Sequence, residues 1–151
     1  MDNFEKIKSI VLKSAKENRA CEPEYKNAFK SANLSELCNV LKENFNWGCN
    51  NGVITSDLLE RFKDDFSQND IWINCNVSSG YLWAYDSVTV EAYGSATVSA
   101  YDSATVSAYG SAYISCHSTI ECKLSDQSIV RRWDTNTIQF CDETMKFEKI
   151  S

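Results

Sequence analysis

The sequence predicts a mainly β protein: a short parallel β-solenoid of octad repeats capped by an N-terminal α-helical segment. Three observations carry the prediction. Residues 92–115 read AYGSATVSAYDSATVSAYGSAYIS, a nearly noiseless eight-residue repeat, and a fixed short period sets the architecture before local propensity does. Within each unit apolar and polar residues alternate, as in Ala96-Thr97-Val98-Ser99-Ala100, which is the two-residue period of a strand with one buried face. Each run then meets a corner position occupied in turn by Asp86, Gly94, Asp102 and Gly110. A site that takes Asp and Gly alternately marks a turn that favours positive φ.

Residues 1–70 read as helical and residues 71–151 as the repeat domain. Phe4, Ile7, Ile10, Val11 and Ala15 recur at helical spacing and predict a first helix over 3–18. Pro23 suits the first residue of a second, short helix with Tyr25, Ala28 and Phe29 inward. Asn33 followed by Glu36 resembles a capping box. It opens a helix carrying Leu34, Leu37, Cys38, Leu41 and Phe45. Residues 46–52, Asn-Trp-Gly-Cys-Asn-Asn-Gly, read as a loop by composition. Thr55 or Ser56 then caps a fourth helix with Leu58, Leu59, Phe62 and Phe66. Together these helices predict a small bundle covering the N-terminal end of the rod.

Ile71, Ile73, Cys75 and Val77 alternate as a leading strand. Their phase is off by one from the array, so an adjustment is expected near residues 77–79. Counting in eights, the corner continues to Ser118, Asp126, Asp134 and Asp142. The inward slots run from Gly80, Leu82 and Ala84 through Ile120, Cys122 and Leu124, then Ser128, Val130 and Arg132, then Asn136, Ile138 and Phe140. The array thus extends over residues 78–149 as about nine octads. The alternation of Asp and Gly at period sixteen favours two octads per coil. That predicts about four to five coils at roughly 4.8 Å, a rod about 20–25 Å long. Three octads per coil and an antiparallel meander are the competing readings; the meander would ask for two-residue turns such as Asn-Gly. Small inward side chains bury little per coil, so the coils depend on one another and the open ends need caps. At the far end Arg132, Lys146 and Glu148 fall on inward slots; a phase slip would instead turn Met145 and Phe147 inward.

The 151 residues carry a net charge of −6, which argues against a direct sequence-specific nucleic-acid binder. No Lys or Arg occurs between Lys63 and Lys123, so the rod is mildly acidic and otherwise covered in hydroxyls. Its carboxylates are too sparse for a DNA mimic. There is no apolar leader and no membrane-spanning run. Seven scattered cysteines without a signal peptide predict reduced thiols and a cytoplasmic protein.

The candidate protein-binding residues are the aromatics before the corners. With two octads per coil, Tyr85, Tyr101, His117 and Trp133 lie on one side, and Tyr93 and Tyr109 on the other, followed by Ser125. Stacking between coils explains such a column structurally; as a surface it offers flat aromatic anchors to a protein partner. Cys116, His117, Cys122 and Cys141 could be weighed as a metal site, but adjacent strand residues face opposite ways and no CxxC occurs. Buried thiols are the expectation. One Asp per corner is too few for a calcium roll, and the outward Thr and Ser lattice is too short and interrupted for ice. With a single histidine and no nucleophile elbow or phosphate loop, no catalytic residue, metal or cofactor is expected.

The units AYGSATVS and AYDSATVS resemble octad arrays in small proteins of gut bacteria and their phages, where AY(D/G)SATV units follow a short helical segment. The resemblance is specific for residues 80–115. It is looser over 21–77, through CEPEYKNAF and LCNVLKENFNWGCNNG, and fails after 116. It implies a mobile-element context and transfers no catalytic residues. The functional expectation is a non-catalytic protein-interaction module, specifically a phage or mobile-element inhibitor of a host defence complex such as a CRISPR effector. Its partner would then be a host nuclease or ribonucleoprotein. The alternatives are a homo-oligomeric structural solenoid, dimerising through a solenoid end, and a ligand-binding or enzymatic protein.

Overall fold

The computed structural model describes residues 2–141 and 147–150, with side chains described for 2–140. The chain divides into two compact units, Met1–Ile71 and Trp72–Ser151.

In the first unit, helix α1 (Asn3–Glu17) starts where the Asp2 carboxylate accepts from Glu5 N–H at 2.9 Å, and it buries Ile7, Val11 and Ala15. Helix α2 (Glu22–Lys30) carries Pro23 in its first turn and buries Ala28. Phe29, expected inward, is 61% exposed: Ala28 takes the close-packed position, and the Phe29 ring sits at the rim, 5.7 Å from Lys8 Nζ. Helix α3 (Leu34–Glu43) is capped by Asn33, whose side chain accepts from Glu36 N–H at 2.9 Å. Glu36 reaches back to the N–H of Ala32, one residue further than in a standard capping box.

The predicted loop at 46–52 is instead largely a helix, α4 (Phe45–Asn50). Packing overrides composition here. Phe45 and Cys49, four apart, are both buried, and Gly48 is small enough for Ile54 to close on it; a Cβ there would meet Ile54 Cδ1 at 2.9 Å. Thr55 Oγ1 accepts from Leu58 N–H at 3.1 Å to open α5 (Ser56–Arg61). The single helix expected after Thr55 breaks at Phe62, and α6 (Lys63–Ser67) follows α5. Leu58, Leu59, Phe62 and Phe66 are all buried as expected.

The second unit is a short parallel β-solenoid of about three turns, spanning strands 81–132. After β1 (Ile71–Ile73), a strand begins every eight residues: β2 (Tyr81–Ala84), β3 (Thr89–Ala92), β4 (Thr97–Ala100), β5 (Thr105–Ala108), β6 (Tyr113–Cys116), β7 (Glu121–Leu124) and β8 (Ile129–Arg132). β9 (Thr137–Cys141) and β10 (Phe147–Ile150) complete the unit. One sheet runs β1-β2-β4-β6-β8-β9-β10 and the other β3-β5-β7. Residue i lies beside residue i+16 throughout: Leu82 beside Val98, Val98 beside Ile114, Val90 beside Val106. Two octads therefore make one coil. The pairings from β2 to β8 are parallel, which removes the meander and the triangular coil.

The interior is a thin shared core in which Ala96, Val98, Ala100, Ala104, Val106, Ala108, Ala112 and Ile114 are buried. Ser128, the one hydroxyl at a buried inward slot here, donates to Ser125 O at 2.7 Å and accepts from Ser125 N–H at 3.1 Å. The corners take positive φ at Asp86, Gly94, Asp102, Gly110 and Asp126. At the first coil two asparagines stand in for missing backbone: Asn74 Oδ1 accepts from Tyr85 N–H at 2.9 Å, and Asn76 Oδ1 from Glu91 N–H at 2.8 Å. The expected adjustment near 77–79 falls beside them, where Val77 makes a single parallel bridge to Ala92.

The array stops earlier than its period suggests. β9 starts in phase, at Thr137, but pairs antiparallel with β8, with Arg132 opposite Thr137. Residues 133–136 form a tight turn that ends at Asn136 with φ 51. The expected fourth and fifth coils are thus replaced by a hairpin. Of the expected inward residues, Asn136 and Ile138 are exposed and Phe140 half-buried, while Thr137 is buried. The reason is chemical: another parallel coil would bury Asn136 without a partner, whereas the reversal places Gln139 against Arg132. β10 then pairs antiparallel with β9. Asp142, Met145 and Lys146 lie outside the described residues, as do the side chains of Phe147 and Glu148.

Candidate functional site: aromatic corners and the terminal coil

The period sets the aromatics at the two corners of each coil, since each precedes a turn and recurs at i+16. Tyr93 and Tyr109 stack with centroids 4.8 Å apart and planes at 12°. Tyr93 is 40% exposed. Its hydroxyl donates to the Glu91 carboxylate, and that bond holds the phenol above its ordinary pKa. On the other corner, His117 and Trp133 meet edge to face at 5.2 Å, with Trp133 exposed. Tyr101 stacks on Trp83 at 4.4 Å; Tyr85 is half-buried on the same side.

Trp83 was not singled out by the sequence reading. It replaces the serine of later units at an outward position, in register with Ser99. It is buried and its Nε1 has no hydrogen-bond partner. The signal was present in the octad YLWAYDSV, where a large ring stands in the Ser column.

The last corner is a polar knot. Asp134 accepts from Ser118 N–H at 2.8 Å, from the Ser118 hydroxyl at 2.5 Å, and lies 3.2 Å from His117 Nε2. His117 Nδ1 lies 3.3 Å from Thr119 N and 3.2 Å from Thr119 Oγ1. The Ser118 bonds, with His117 adding, hold the Asp134 carboxyl below its ordinary pKa.

Arg132, on its inward slot, closes the coil. Its guanidinium donates to Ile120 O at 2.8 Å, His117 O at 3.0 Å and Gln139 Oε1 at 2.8 Å. The same side chain lies 3.6 Å from Cys116 Sγ, and Cys116 Sγ lies 3.9 Å from Cys122 Sγ. Among the described residues no group of three or more His, Cys, Asp or Glu could hold a metal ion. The side chain of Cys141 is outside the described set.

Within the helical unit alone there is also a cavity of about 360 Å³, with Val11, Ala15, Tyr25, Leu41, Trp47 and Ile54 among its lining residues. Among the described residues no helix is long and apolar enough to cross a membrane. No protein-family model, curated protein or solved structure matches the chain.

Proposed function

We propose that this chain is a non-catalytic protein-interaction module whose solenoid corners present aromatic side chains to a protein partner. The observation that carries the reading is the Tyr93–Tyr109 stack: two rings held parallel by the coil register, with Tyr93 exposed. Aromatic rings fixed on a rigid frame lose little conformational freedom on binding, which is why they serve as interface anchors. Thr89, Thr105 and Ser107, on the strands of the smaller sheet, are at least partly exposed and supply hydrogen-bonding groups, whereas Ser99 and Ser115 are buried. The resemblance of residues 80–115 to phage and gut-bacterial octad arrays supplies the finer reading. On it, the partner is a host defence complex, a CRISPR effector or another nuclease or ribonucleoprotein, met in the cytoplasm.

The test is capture from a gut-bacterial host lysate with the full chain as bait. The expected result is a co-purifying nuclease or ribonucleoprotein. The Tyr93→Ala/Tyr109→Ala double variant is expected to bind it about 10–100-fold more weakly while still melting cooperatively. A lysate that yields no specific protein, or a double variant that binds as well as the parent, overturns the reading.

A second reading, self-association through the C-terminal end, is favoured by one observation. Ile129 and Ile138 are exposed on β8 and β9. Light scattering showing a dimer at micromolar concentration would support it.

A further inference from the structure

We infer that Cys116 and Cys122 form an oxidative modification site, a dithiol that a hydroperoxide converts to an intramolecular disulfide at the last coil. The repeat supplies its own control. Cys116 occupies the column of Ala84 and Ala100, and Cys122 that of Val90 and Val106. Alanine and valine fill these slots in the earlier coils, so packing of the solenoid does not require two thiols. They occur together only where the array ends, on opposite sheets, with sulfurs 3.9 Å apart across the narrow interior. Cys122 is partly exposed and Cys116 is buried. That arrangement gives one sulfur an oxidant can reach and one held behind it.

Arg132 distinguishes this coil further. Its guanidinium is anchored on two backbone carbonyls and on Gln139, and it lies 3.6 Å from Cys116 Sγ. A fixed positive charge beside a thiol pair favours thiolate. The Cys122 thiol is brought down by the hydrogen bond from Cys116, with Arg132 adding and burial opposing; Cys116 is pushed up by the same bond and by burial. Cys122, the thiol an oxidant can reach, is the attacking sulfur.

The chemistry balances in two steps. Cys122 thiolate attacks the terminal oxygen of the hydroperoxide; the S–O bond forms, the O–O bond breaks, the sulfur is oxidised by two electrons to a sulfenic acid, and the other oxygen leaves as hydroxide or alkoxide, which takes a proton from solvent to become water or an alcohol. Cys116 sulfur then attacks the sulfenic sulfur. The S–S bond forms, and hydroxide leaves with the Cys116 proton as water. The sulfurs must close from 3.9 Å to about 2.05 Å. Rotation of the two cysteine side chains supplies this. The product staples β6 to β7 around residues 117–121.

The experiment treats the reduced full-length chain with stoichiometric hydrogen peroxide and maps disulfides by non-reducing peptide mass spectrometry. The expected result is a Cys116–Cys122 cross-link that forms ahead of any other and is reversed by dithiothreitol. The melting midpoint of the oxidised chain should rise by about 5 °C, and Cys122→Ser should abolish both effects. Arg132→Lys retains the charge and is expected to keep the cross-link. Arg132→Gln should shift the pH midpoint of Cys122 alkylation upward and slow cross-linking about tenfold or more. Loss of peroxide sensitivity to random or intermolecular pairing, or Cys116 and Cys122 oxidising no faster in the folded chain than in urea, overturns the assignment.

Discussion

The corner residues show how closely single positions are specified. Five corners adopt a left-handed backbone, three with Asp and two with Gly. The two residues are not interchangeable. A Cβ on Gly94 would stand 2.5 Å from the backbone oxygen of Ser78, and one on Gly110 3.0 Å from Gly94 N. The aspartates do something glycine cannot: Asp102 accepts from Asp86 N–H, Asp126 from Gly110 N–H and Asp134 from Ser118 N–H, each across one coil. Gly94→Ala is therefore expected to cost about 2–4 kcal/mol, from left-handed strain plus a clash with backbone that cannot rotate away. Gly94→Asp should cost as much, although Asp is the natural residue at the neighbouring corners; urea melts of the two variants check this. Asp134 gives a pH prediction. Its folded pKa is depressed, so its contribution is complete above the unfolded value and disappears as pH falls through the folded one. The difference in urea midpoint between the parent and Asp134→Asn should be constant above pH ~5 and close below pH ~4.

At the scale of the strand, what repeats is the sixteen-residue coil. Deleting residues 97–112 joins Ala96 to Tyr113 and leaves each remaining strand in its own sheet. It stacks Asp126 on Gly94 and Leu82 beside Ile114. Deleting only 97–104 removes half as much chain but exchanges the sheets. Gly94 would then lie beside Ser118, which lacks the left-handed backbone, whereas the sixteen-residue deletion sets Ser118 beside an aspartate corner, Asp86, as the i+16 register sets it beside Asp102 in the parent. The eight-residue deletion is expected to melt below the sixteen-residue one, measured by thermal denaturation under identical conditions. The reverse order would mean that the octad, not the coil, is the packing unit. The strands themselves were legible because alternation and corner chemistry are local: Ala96, Val98 and Ala100 are buried as their spacing demands. Helix α4 was not legible, because Asn46, Gly48 and Asn50 favour a loop locally and only the burial of Phe45, Cys49 and Ile54 reverses that preference.

Across the whole molecule, the solenoid's two ends are closed by different means. Side-chain oxygens of Asn74 and Asn76 satisfy the first coil's N–H groups. At the last coil Arg132 donates to the carbonyls of His117 and Ile120 and the chain turns back as a hairpin. β7 ends the smaller sheet with Glu121 and Lys123 exposed, charges that discourage edge-to-edge pairing. By itself the sequence determined the strand starts from 81 to 129, the inward face of the clean repeats and the left-handed corners from 86 to 110, and it favoured the two-octad coil, because a strict period repeats one local conformation. The tertiary structure alone decided where the array stops, that β9 reverses, and that Cys116, Cys122 and Arg132 meet. The direction of a strand after a corner depends on which edge can satisfy its hydrogen bonds and which side chains it must bury, and those partners lie on other coils.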